Sequence, residues 1–260
     1  MKYEYFTNPC PHIYISELVP RDIYDKIKFP EIKPIKNRRA TKGIFRGDEF
    51  YSEHVSSEGW KDFYQYFTSF ETIKEIVNIF VNDIQRYNCR LQPDKIYFKD
   101  YEESAKEVML QKIDDESDPN AIFTRFDFQA ADKTYPDKIH CDHQRRLVGG
   151  VLFFCDYREE KLEGGRLALY KDEEFGDDRV CHKPKLIKEI LPIHNTGVIF
   201  LNCNAGFHGN TKITRLEGLR KWIYYSISSK RNIWEAKPMT VYARATHVRT
   251  KLRRTFKKIF

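Results

Sequence analysis

Apolar residues recur along the second half of the chain in short runs that are rich in β-branched and aromatic side chains, and turns separate these runs. Short runs bounded by turn residues are typical of β-strands. The predicted strands are residues 146–154, 164–170, 188–192, 198–201 and 221–228. A series of short strands separated by turns indicates an antiparallel sandwich or barrel.

A helical pattern occupies part of the first half of the chain. Between residues 60 and 87, apolar residues return every three or four positions, which is the period of one helix face. We predict an amphipathic helix there, interrupted near Thr68 and Ser69 and packed against the sheet. The other predicted elements flank this helix: a strand at 12–20, a short helix at 20–27, and strands at 91–99 and 121–129.

Three side chains of the predicted β region form a candidate metal site. His140 and Asp142 lie two positions apart, so in a strand both side chains project to the same face. A second imidazole, His208, comes from a segment flanked by Gly206 and Gly209, where the backbone can approach a neighbour closely. Two histidines and one carboxylate that leave the other metal positions open are typical of non-haem Fe(II) oxygenases.

Three other histidines compete with His208 for the second imidazole position. His143 follows Asp142 directly, so in a strand its side chain faces away from the metal. His182 lies in a charged loop, and His194 lies in a turn before a predicted strand.

Several separated sequence elements together match a known pattern in order and spacing. They are His140-x-Asp142, Glu163-Gly164-Gly165-x-Leu167-x-Leu169-Tyr170, residues 196–200, Phe207-His208-Gly209 and Gly218-x-Arg220. Through them, residues 121–229 resemble the Fe(II)/2-oxoglutarate-dependent oxygenases, in particular their prolyl-4-hydroxylase-like branch. The resemblance implies a mainly β fold with flanking helices around a double-stranded β-helix core, which is a jelly-roll or cupin-like arrangement.

The resemblance also implies roles for single residues. His140, Asp142 and His208 would hold Fe(II) and form the catalytic centre, since His208 stands where the pattern has its second histidine. Arg220 would pair with the distal carboxylate of the co-substrate 2-oxoglutarate, because a planar guanidinium can form two parallel hydrogen bonds with a carboxylate. O₂ would be the second co-substrate.

Two neighbours of Arg220 are alternatives for the carboxylate. Lys221 is the first, because adjacent residues in a strand face opposite ways and only one of the two can point inward. Arg215 is the second. Gly218, two positions before Arg220, favours Arg220 because the pattern has glycine-x-arginine.

The activity that the resemblance implies is hydroxylation of an unactivated C–H bond with release of succinate and CO₂. The substrate would be a small molecule, a sugar or a peptide. One alternative is a dealkylase that uses the same iron chemistry on nucleic acid or protein. Another is a non-catalytic binding module that retains the fold.

Composition bounds the organisation of the chain. The 260 residues are 41% hydrophobic, which is enough for a sizeable core, and we predict a single oxygenase domain over residues 1–237. Within it, residues up to about 120 would give helical support and about 121–230 the jelly-roll core. The six cysteines form no Cys-x-x-Cys pair, and no run of signal-peptide or membrane-span length occurs. We therefore expect reduced thiols and a cytoplasmic protein.

Charge sets two segments apart from the rest. Residues 238–260 carry seven basic residues and no acidic one, so this tail accounts for the net charge of +7. Its apolar residues step by three or four, which predicts a basic amphipathic helix that binds an anionic membrane surface or packs on the body of the protein. Residues 30–51 form a basic loop, either solvated or facing an anionic group of the substrate. Nucleic-acid binding is disfavoured, because residues 1–237 carry no net charge.

Overall fold

Eleven strands and five helices form the part of the chain that the computed structural model describes, which is residues 1–43, 49–99, 116–174, 179–235 and 245. The strands are Lys2–Phe6 (β1), His12–Glu17 (β2), Ala40–Gly43 (β3), Tyr97–Phe98 (β4), Ala121–Ala131 (β5), Arg146–Phe153 (β6), Leu167–Asp172 (β7), Pro184–Ile190 (β8), Gly197–Leu201 (β9), Phe207–Asn210 (β10) and Arg220–Ser229 (β11). The helices are Arg21–Tyr24 (α1), Glu49–Val55 (α2), Trp60–Thr68 (α3), Phe70–Ile79 (α4) and Val81–Arg86 (α5).

The strands form a large and a small sheet. The large sheet has the order β1-β2-β9-β6-β11-β5-β3, and β4 pairs with β5 in parallel. The small sheet has the order β10-β7-β8, and His140 adds a single bridge to β10 through His208. All other strand pairs in both sheets are antiparallel.

From β5 onward the chain crosses repeatedly between the two sheets. β5, β6, β9 and β11 belong to the large sheet, whereas the His140 segment, β7, β8 and β10 belong to the small one. This alternation gives a double-stranded β-helix, the jelly-roll arrangement of two antiparallel sheets. The expected fold, mainly β with flanking helices around a jelly-roll core, is therefore confirmed.

The alternation of side chains along β11 explains how this strand serves two environments. Arg220, Trp222 and Tyr224 line a cavity between the sheets, whereas Ile223 and Tyr225 are fully buried on the other face. The Tyr225 hydroxyl donates to the backbone carbonyl of residue 67 in α3 at 3.1 Å. The strand therefore joins the helical layer to the wall of the cavity.

The helical layer packs its aromatic face against the large sheet. Trp60 and Phe67 are at most 1% exposed, and the Trp60 ring lies 4.7 Å from the ring of Phe128 in β5. The predicted interruption of the helix occurs at Ser69, whose side chain caps α4 by accepting from the Thr72 N–H at 3.2 Å. A second interruption, at residue 80 between α4 and α5, was not predicted.

Two local predictions were wrong. Residues 91–99 do not form one strand: a short 3₁₀ turn at Pro93–Lys95 is followed by the two-residue strand β4, because Pro93 cannot donate to a ladder. His140 and Asp142 do not lie in a continuous strand, since only His140 makes a β-bridge. Their side chains converge all the same.

Other predictions fall partly or wholly outside the described residues. The tail 238–260 does so except for residue 245, as do residues 44–48 of the basic loop. In the described part of the chain, no helix is both long and apolar enough to cross a bilayer.

Candidate metal centre

His140, Asp142 and His208 lie together at the cavity, with His208 and the Asp142 side chain buried and the His140 side chain 44% exposed. Their ligand atoms are all within 4.8 Å of one another, and Asp142 Oδ1 lies 3.7 Å from His140 Nε2 and 4.0 Å from His208 Nε2. The two histidines are neighbours because each backbone N–H donates to the other residue's carbonyl at 2.9 Å. Among the described residues, no other three His, Cys, Asp or Glu side chains form such a group.

Backbone carbonyls orient both imidazoles. His208 Nδ1 lies 3.0 Å from the Gly206 carbonyl oxygen, and His140 Nδ1 lies 3.3 Å from that of Lys138. A carbonyl oxygen only accepts hydrogen bonds, so Nδ1 carries the proton and Nε2 of the neutral ring keeps its lone pair. Burial, and then the charge of His140, lowers the pKa of His208 to about 4, so this ring is neutral at pH 7. The Nε2 atoms are therefore the ring atoms that could bind a metal.

Two side chains hold the carboxylate of Asp142. The Tyr224 hydroxyl donates to Oδ2 at 2.7 Å, and Arg146 Nη1 lies 3.1 Å from Oδ1. Arg146 also donates to the Tyr224 hydroxyl at 2.6 Å. Burial alone would raise the pKa of Asp142, but Arg146 and then the two imidazoles hold that pKa well below its usual range. The carboxylate is therefore ionised, which is the form that binds a cation.

The donor set fits a divalent iron ion. The ligand atoms of two imidazoles and one carboxylate lie within 4.8 Å of one another, and all three residues line the cavity. This is the ligand set of non-haem Fe(II) oxygenases, and it leaves metal positions free for co-substrates. A structural zinc site would instead show four protein ligands.

Replacement of Tyr224 by phenylalanine is expected to lower the affinity for Mn(II), a stable substitute for Fe(II), by about 10-fold, because hydrogen bonds to metal-binding carboxylates typically tune affinity 10- to 100-fold. Isothermal titration of the purified variant with Mn(II) measures this. The matched control is Tyr225→Phe on the opposite face, which removes the 3.1 Å bond to α3 and leaves the Asp142 carboxylate untouched. Equal Mn(II) affinities of the two variants would contradict the role of Tyr224.

Gly149 leaves room for the Asp142 carboxylate. A Cβ at this position would lie 2.8 Å from Asp142 Oδ2 and 2.8 Å from Phe200 Cε2, both closer than ordinary contact. At Gly150 a Cβ would lie 3.3 Å from its nearest neighbour, Ile199 Cγ1. The close packing at Gly149 therefore bears directly on a metal ligand.

We expect Gly149→Ala to displace the carboxylate and to weaken Mn(II) binding at least ~10-fold, with a loss of about 1–3 kcal/mol in the free energy of unfolding from overpacking. Metal titration and urea unfolding measure the two effects. Gly150→Ala serves as the control, because its Cβ would meet only core atoms and would leave Mn(II) affinity within ~3-fold of the parent. Unaltered Mn(II) binding by Gly149→Ala would show that the carboxylate tolerates the methyl group.

The triad opens into a cavity of about 290 Å³ between the two sheets. Its lining contains the three residues of the triad and a row of side chains from β5 and β11. The lining residues are Arg39, Arg125, Asp127, Gln129, Tyr135, His140, Asp142, Arg146, Val151, Leu167, Phe200, His208, Gly209, Asn210, Arg220, Trp222 and Tyr224. The volume is close to the lower end of the range for small-molecule sites.

Arg220 lines the same cavity and is 3% exposed. Its guanidinium lies 4.4 Å from the Trp222 ring centroid, and no carboxylate of the described residues is within salt-bridge distance of it. Its Nε atom is buried without a hydrogen-bond partner. Burial lowers the pKa of Arg220, but arginine remains a cation at neutral pH. A buried cation without a counter-charge is costly unless a ligand supplies an anion.

The alternatives to Arg220 and His208 lie elsewhere. Lys221 does not line the cavity, and Arg215 is exposed and pairs with Glu217 at 2.7 Å. His194 lies between the Tyr24 hydroxyl and Glu159, outside the metal group. The positions of His143 and His182 are likewise outside that group. The role of Arg220 towards a co-substrate stays a prediction.

Sequence reasoning missed three side chains next to Asp142. Tyr224 could have been found, because it follows Arg220 and Trp222 at two-residue steps on the inward face of β11. Arg146 lies four residues after Asp142, but nothing in the sequence shows that the chain turns back there. Arg179, which donates to the Asp142 carbonyl from a distant loop, left no signal.

No family model matches the chain, and no curated protein matches it in sequence. Three similar solved structures are a Pseudomonas putida prolyl-4-hydroxylase (14% identity, TM-score 0.41), a Burkholderia pseudomallei oxidoreductase of the 2OG-Fe(II) oxygenase family (9%, 0.41), and a Trichoplax adhaerens prolyl hydroxylase in complex with a hypoxia inducible factor peptide fragment (13%, 0.38). The alignments cover 84%, 82% and 84% of this chain, and 91%, 80% and 83% of those chains.

The strand order, rather than these scores, decides the fold. The core strands alternate between two antiparallel sheets, and the paired His140 and His208 lie beside each other in the small sheet. Asp142 groups with these two histidines, and all three residues line the cavity. The chain therefore has a double-stranded β-helix, or jelly-roll, fold with the His140, Asp142 and His208 group between its two sheets.

Proposed function

We propose that this protein is an Fe(II)- and 2-oxoglutarate-dependent dioxygenase that hydroxylates an unactivated C–H bond of a small-molecule, sugar or peptidyl substrate. The observation that carries the proposal is one cavity with two features. It holds the two-histidine, one-carboxylate group, and it holds the buried Arg220 cation, which has no counter-charge among the described residues. Each feature alone is compatible with several kinds of ligand, but the two together fit a metal and a dicarboxylate.

Each part of the site has a distinct task in this proposal. His140, Asp142 and His208 would hold Fe(II), which with 2-oxoglutarate and O₂ supplies an oxidative decarboxylation that yields succinate, CO₂ and a hydroxylated product. Arg220 would orient the distal carboxylate of 2-oxoglutarate through its planar guanidinium. Tyr224 hydrogen-bonds Asp142 Oδ2 and so fixes the rotation of the carboxylate.

Apolar side chains complete the cavity. Val151 and Leu167 line it from β6 and β7, and the Phe200 ring packs 4.2 Å from the His208 ring. The Phe200 ring thereby restricts the orientation of the His208 imidazole. The protein's share of the chemistry is thus to position the reactants and to exclude side reactions.

Anaerobic reconstitution tests the proposal. Purified protein is mixed with Fe(II) and 2-oxoglutarate, the weak metal-to-ligand absorption band of the chelate is recorded, and succinate is measured after air is admitted. We expect both the band and succinate. A bound metal without either signal would contradict the co-substrate assignment and would favour a non-catalytic module. Candidate substrates can then be ranked by how strongly they stimulate succinate release.

A further inference from the structure

The cavity has more positive charge than the proposed reaction uses. Its lining contains four arginines, at 39, 125, 146 and 220, and two carboxylates, at 127 and 142. Fe(II) and the 2-oxoglutarate dianion would cancel each other, so two positive charges of the lining would stay unbalanced in the loaded protein. Such an excess in a cleft attracts anions and disfavours neutral or cationic substrates.

Two of the four arginines pair with carboxylates of the protein, and a third has a partner in the proposed function. Arg125 pairs with Asp127 through two hydrogen bonds of 3.1 and 2.5 Å, and Arg146 pairs with Asp142. Arg220 is the proposed partner of 2-oxoglutarate. Arg39 differs from these, because its side chain has no carboxylate partner among the described residues and only a long bond of 3.4 Å to the Tyr135 hydroxyl.

Arg39 belongs to a segment that is fixed beside the cavity. The Asn37 N–H donates to Thr134 Oγ1 at 2.7 Å, and Ala40 pairs with Ala130 of β5. The first bond attaches the basic loop to the segment that leads into His140, and the second attaches it to β5. Arg39 is exposed at its surface and still lines the cavity, so it lies at the rim.

Neighbouring cations increase the positive potential at this rim. Residues 30–43 contain five basic residues and one acid, and every basic residue except Arg39 lies outside the cavity lining. A guanidinium that is open to solvent on one side and faces a metal cavity on the other can bind an oxyanion through two parallel hydrogen bonds. The remaining basic residues would guide the anion towards it.

We propose that the primary substrate carries an oxyanion, a phosphate or a carboxylate, and that Arg39 binds this group at the rim while the carbon to be hydroxylated lies over the metal position. This inference rests on the proposed function and narrows its substrate class. It makes Arg39 the specificity-determining residue, separate from Arg220 on the co-substrate side. The cavity of about 290 Å³ favours a small anionic molecule over a polymer.

Binding of inorganic phosphate to the full chain tests the inference without turnover. The protein is loaded anaerobically with Mn(II) in place of Fe(II) and with 2-oxoglutarate, and paramagnetic broadening of the ³¹P signal of phosphate reports binding near the metal. We expect Arg39→Gln to weaken phosphate binding about 10-fold, the typical effect of losing a hydrogen bond to a charged group.

Arg38→Gln is the matched control, because it removes the same charge from the adjacent residue, which does not line the cavity. We expect it to weaken phosphate binding less than ~2-fold, since solvent and salt screen a charge outside the cleft. Equal losses in the two variants would overturn the inference, because they would indicate diffuse attraction by the basic segment. No phosphate binding to the parent protein would overturn it as well.

Two competition experiments and one measurement of 2-oxoglutarate binding extend this test. Displacement of phosphate by acetate would show that the site also accepts a carboxylate, and failure of acetate would restrict the substrate to phosphates. Displacement by a single-stranded oligonucleotide with equal sensitivity to Arg38→Gln and Arg39→Gln would indicate a polymer and overturn the inference. If Arg39→Gln weakened 2-oxoglutarate binding as much as phosphate binding, Arg39 would belong to the co-substrate instead.

The absorption band of the Fe(II)–2-oxoglutarate chelate separates this inference from the proposed function. A parent protein that shows the band but binds no phosphate contradicts only the oxyanion substrate. A parent protein that binds Fe(II) and shows no band contradicts the proposed function itself.

Discussion

Replacement of His208 by alanine is expected to reduce 2-oxoglutarate turnover to background while the protein stays folded. His208 supplies one of only two imidazoles in the metal group, and its Nε2 is held towards Asp142 by the bond from Nδ1 to the Gly206 carbonyl. A site reduced to His140 and Asp142 loses the facial geometry that retains Fe(II). Succinate release, Mn(II) titration and circular dichroism of the variant measure the three expected outcomes.

His143 provides the control for this experiment. It directly follows Asp142, but it is not part of the metal group, and its Nδ1 lies 3.4 Å from the Arg145 backbone nitrogen. His143→Ala should therefore retain Mn(II) binding and turnover. Full 2-oxoglutarate consumption by His208→Ala, or its loss in His143→Ala, would show that the metal ligands are wrongly assigned.

Asp142→Ala should also abolish turnover, but its interpretation is less direct. Asp142 balances the charge of Arg146, and both side chains are largely buried. Removing one partner of a buried ion pair leaves an uncompensated charge and typically costs about 3–5 kcal/mol. Loss of activity in this variant would combine loss of a ligand with loss of stability, so His208→Ala is the sharper test.

The second half could be predicted as an antiparallel sandwich or barrel because short apolar runs alternate there with turn residues, and the jelly-roll arrangement itself was implied by the resemblance. In β11 the inward residues are Arg220, Trp222 and Tyr224, whereas the outward residues pack on the helices. A strand between a cavity and a helical layer must alternate in this way, but apolarity did not show whether Arg220 or Lys221 points inward, and the glycine-x-arginine pattern favoured Arg220. The amphipathic helices were predictable because apolar residues recur every three or four positions between residues 60 and 87.

The parts of the fold that were hardest to predict depend on which strands pair with each other, and not on the spacing of apolar residues along the chain. Residues 91–99 look strand-like, yet β4 reaches only two residues because its single partner is the start of β5. The His140 segment makes one bridge and then leaves the sheet, so the convergence of His140 and Asp142 has a different cause from the one expected. Cross-strand pairing decides both cases, and a local pattern does not contain it.

The residues of the candidate site also fall into a group that the sequence predicted and a group that it did not. The triad residues and Arg220 were predicted from spacing and resemblance, and the structure brings all four to one cavity. The residues that hold them were not predicted, because Arg146 and Arg179 reach Asp142 only through the folded chain. A sequence can thus indicate which residues bind a metal, while the groups that orient the carboxylate depend on tertiary contacts.

Arg220→Ala is expected to raise the dissociation constant for 2-oxoglutarate about 100-fold, while Mn(II) still binds the triad. The guanidinium is 3% exposed and faces no carboxylate of the described residues, so a ligand carboxylate would be its main counter-charge. Truncating one partner of a buried, hydrogen-bonded charge pair typically costs about 2–5 kcal/mol, and ~2.8 kcal/mol corresponds to 100-fold. The 2-oxoglutarate dependence of the chelate band in the Fe(II)-loaded variant measures it.

Lys221→Ala is the matched control, because it removes one cation from the next position of the same strand. Lys221 lies outside the cavity lining, and its backbone N–H, which alanine keeps, donates to Cys155 Sγ at 3.3 Å. This variant should bind 2-oxoglutarate within ~2-fold of the parent, since only a screened surface charge changes. If Arg220→Ala kept the parent's affinity for 2-oxoglutarate and Lys221→Ala lost it, Lys221 would be the residue that binds the distal carboxylate. The last strand would then have to present its other face to the co-substrate.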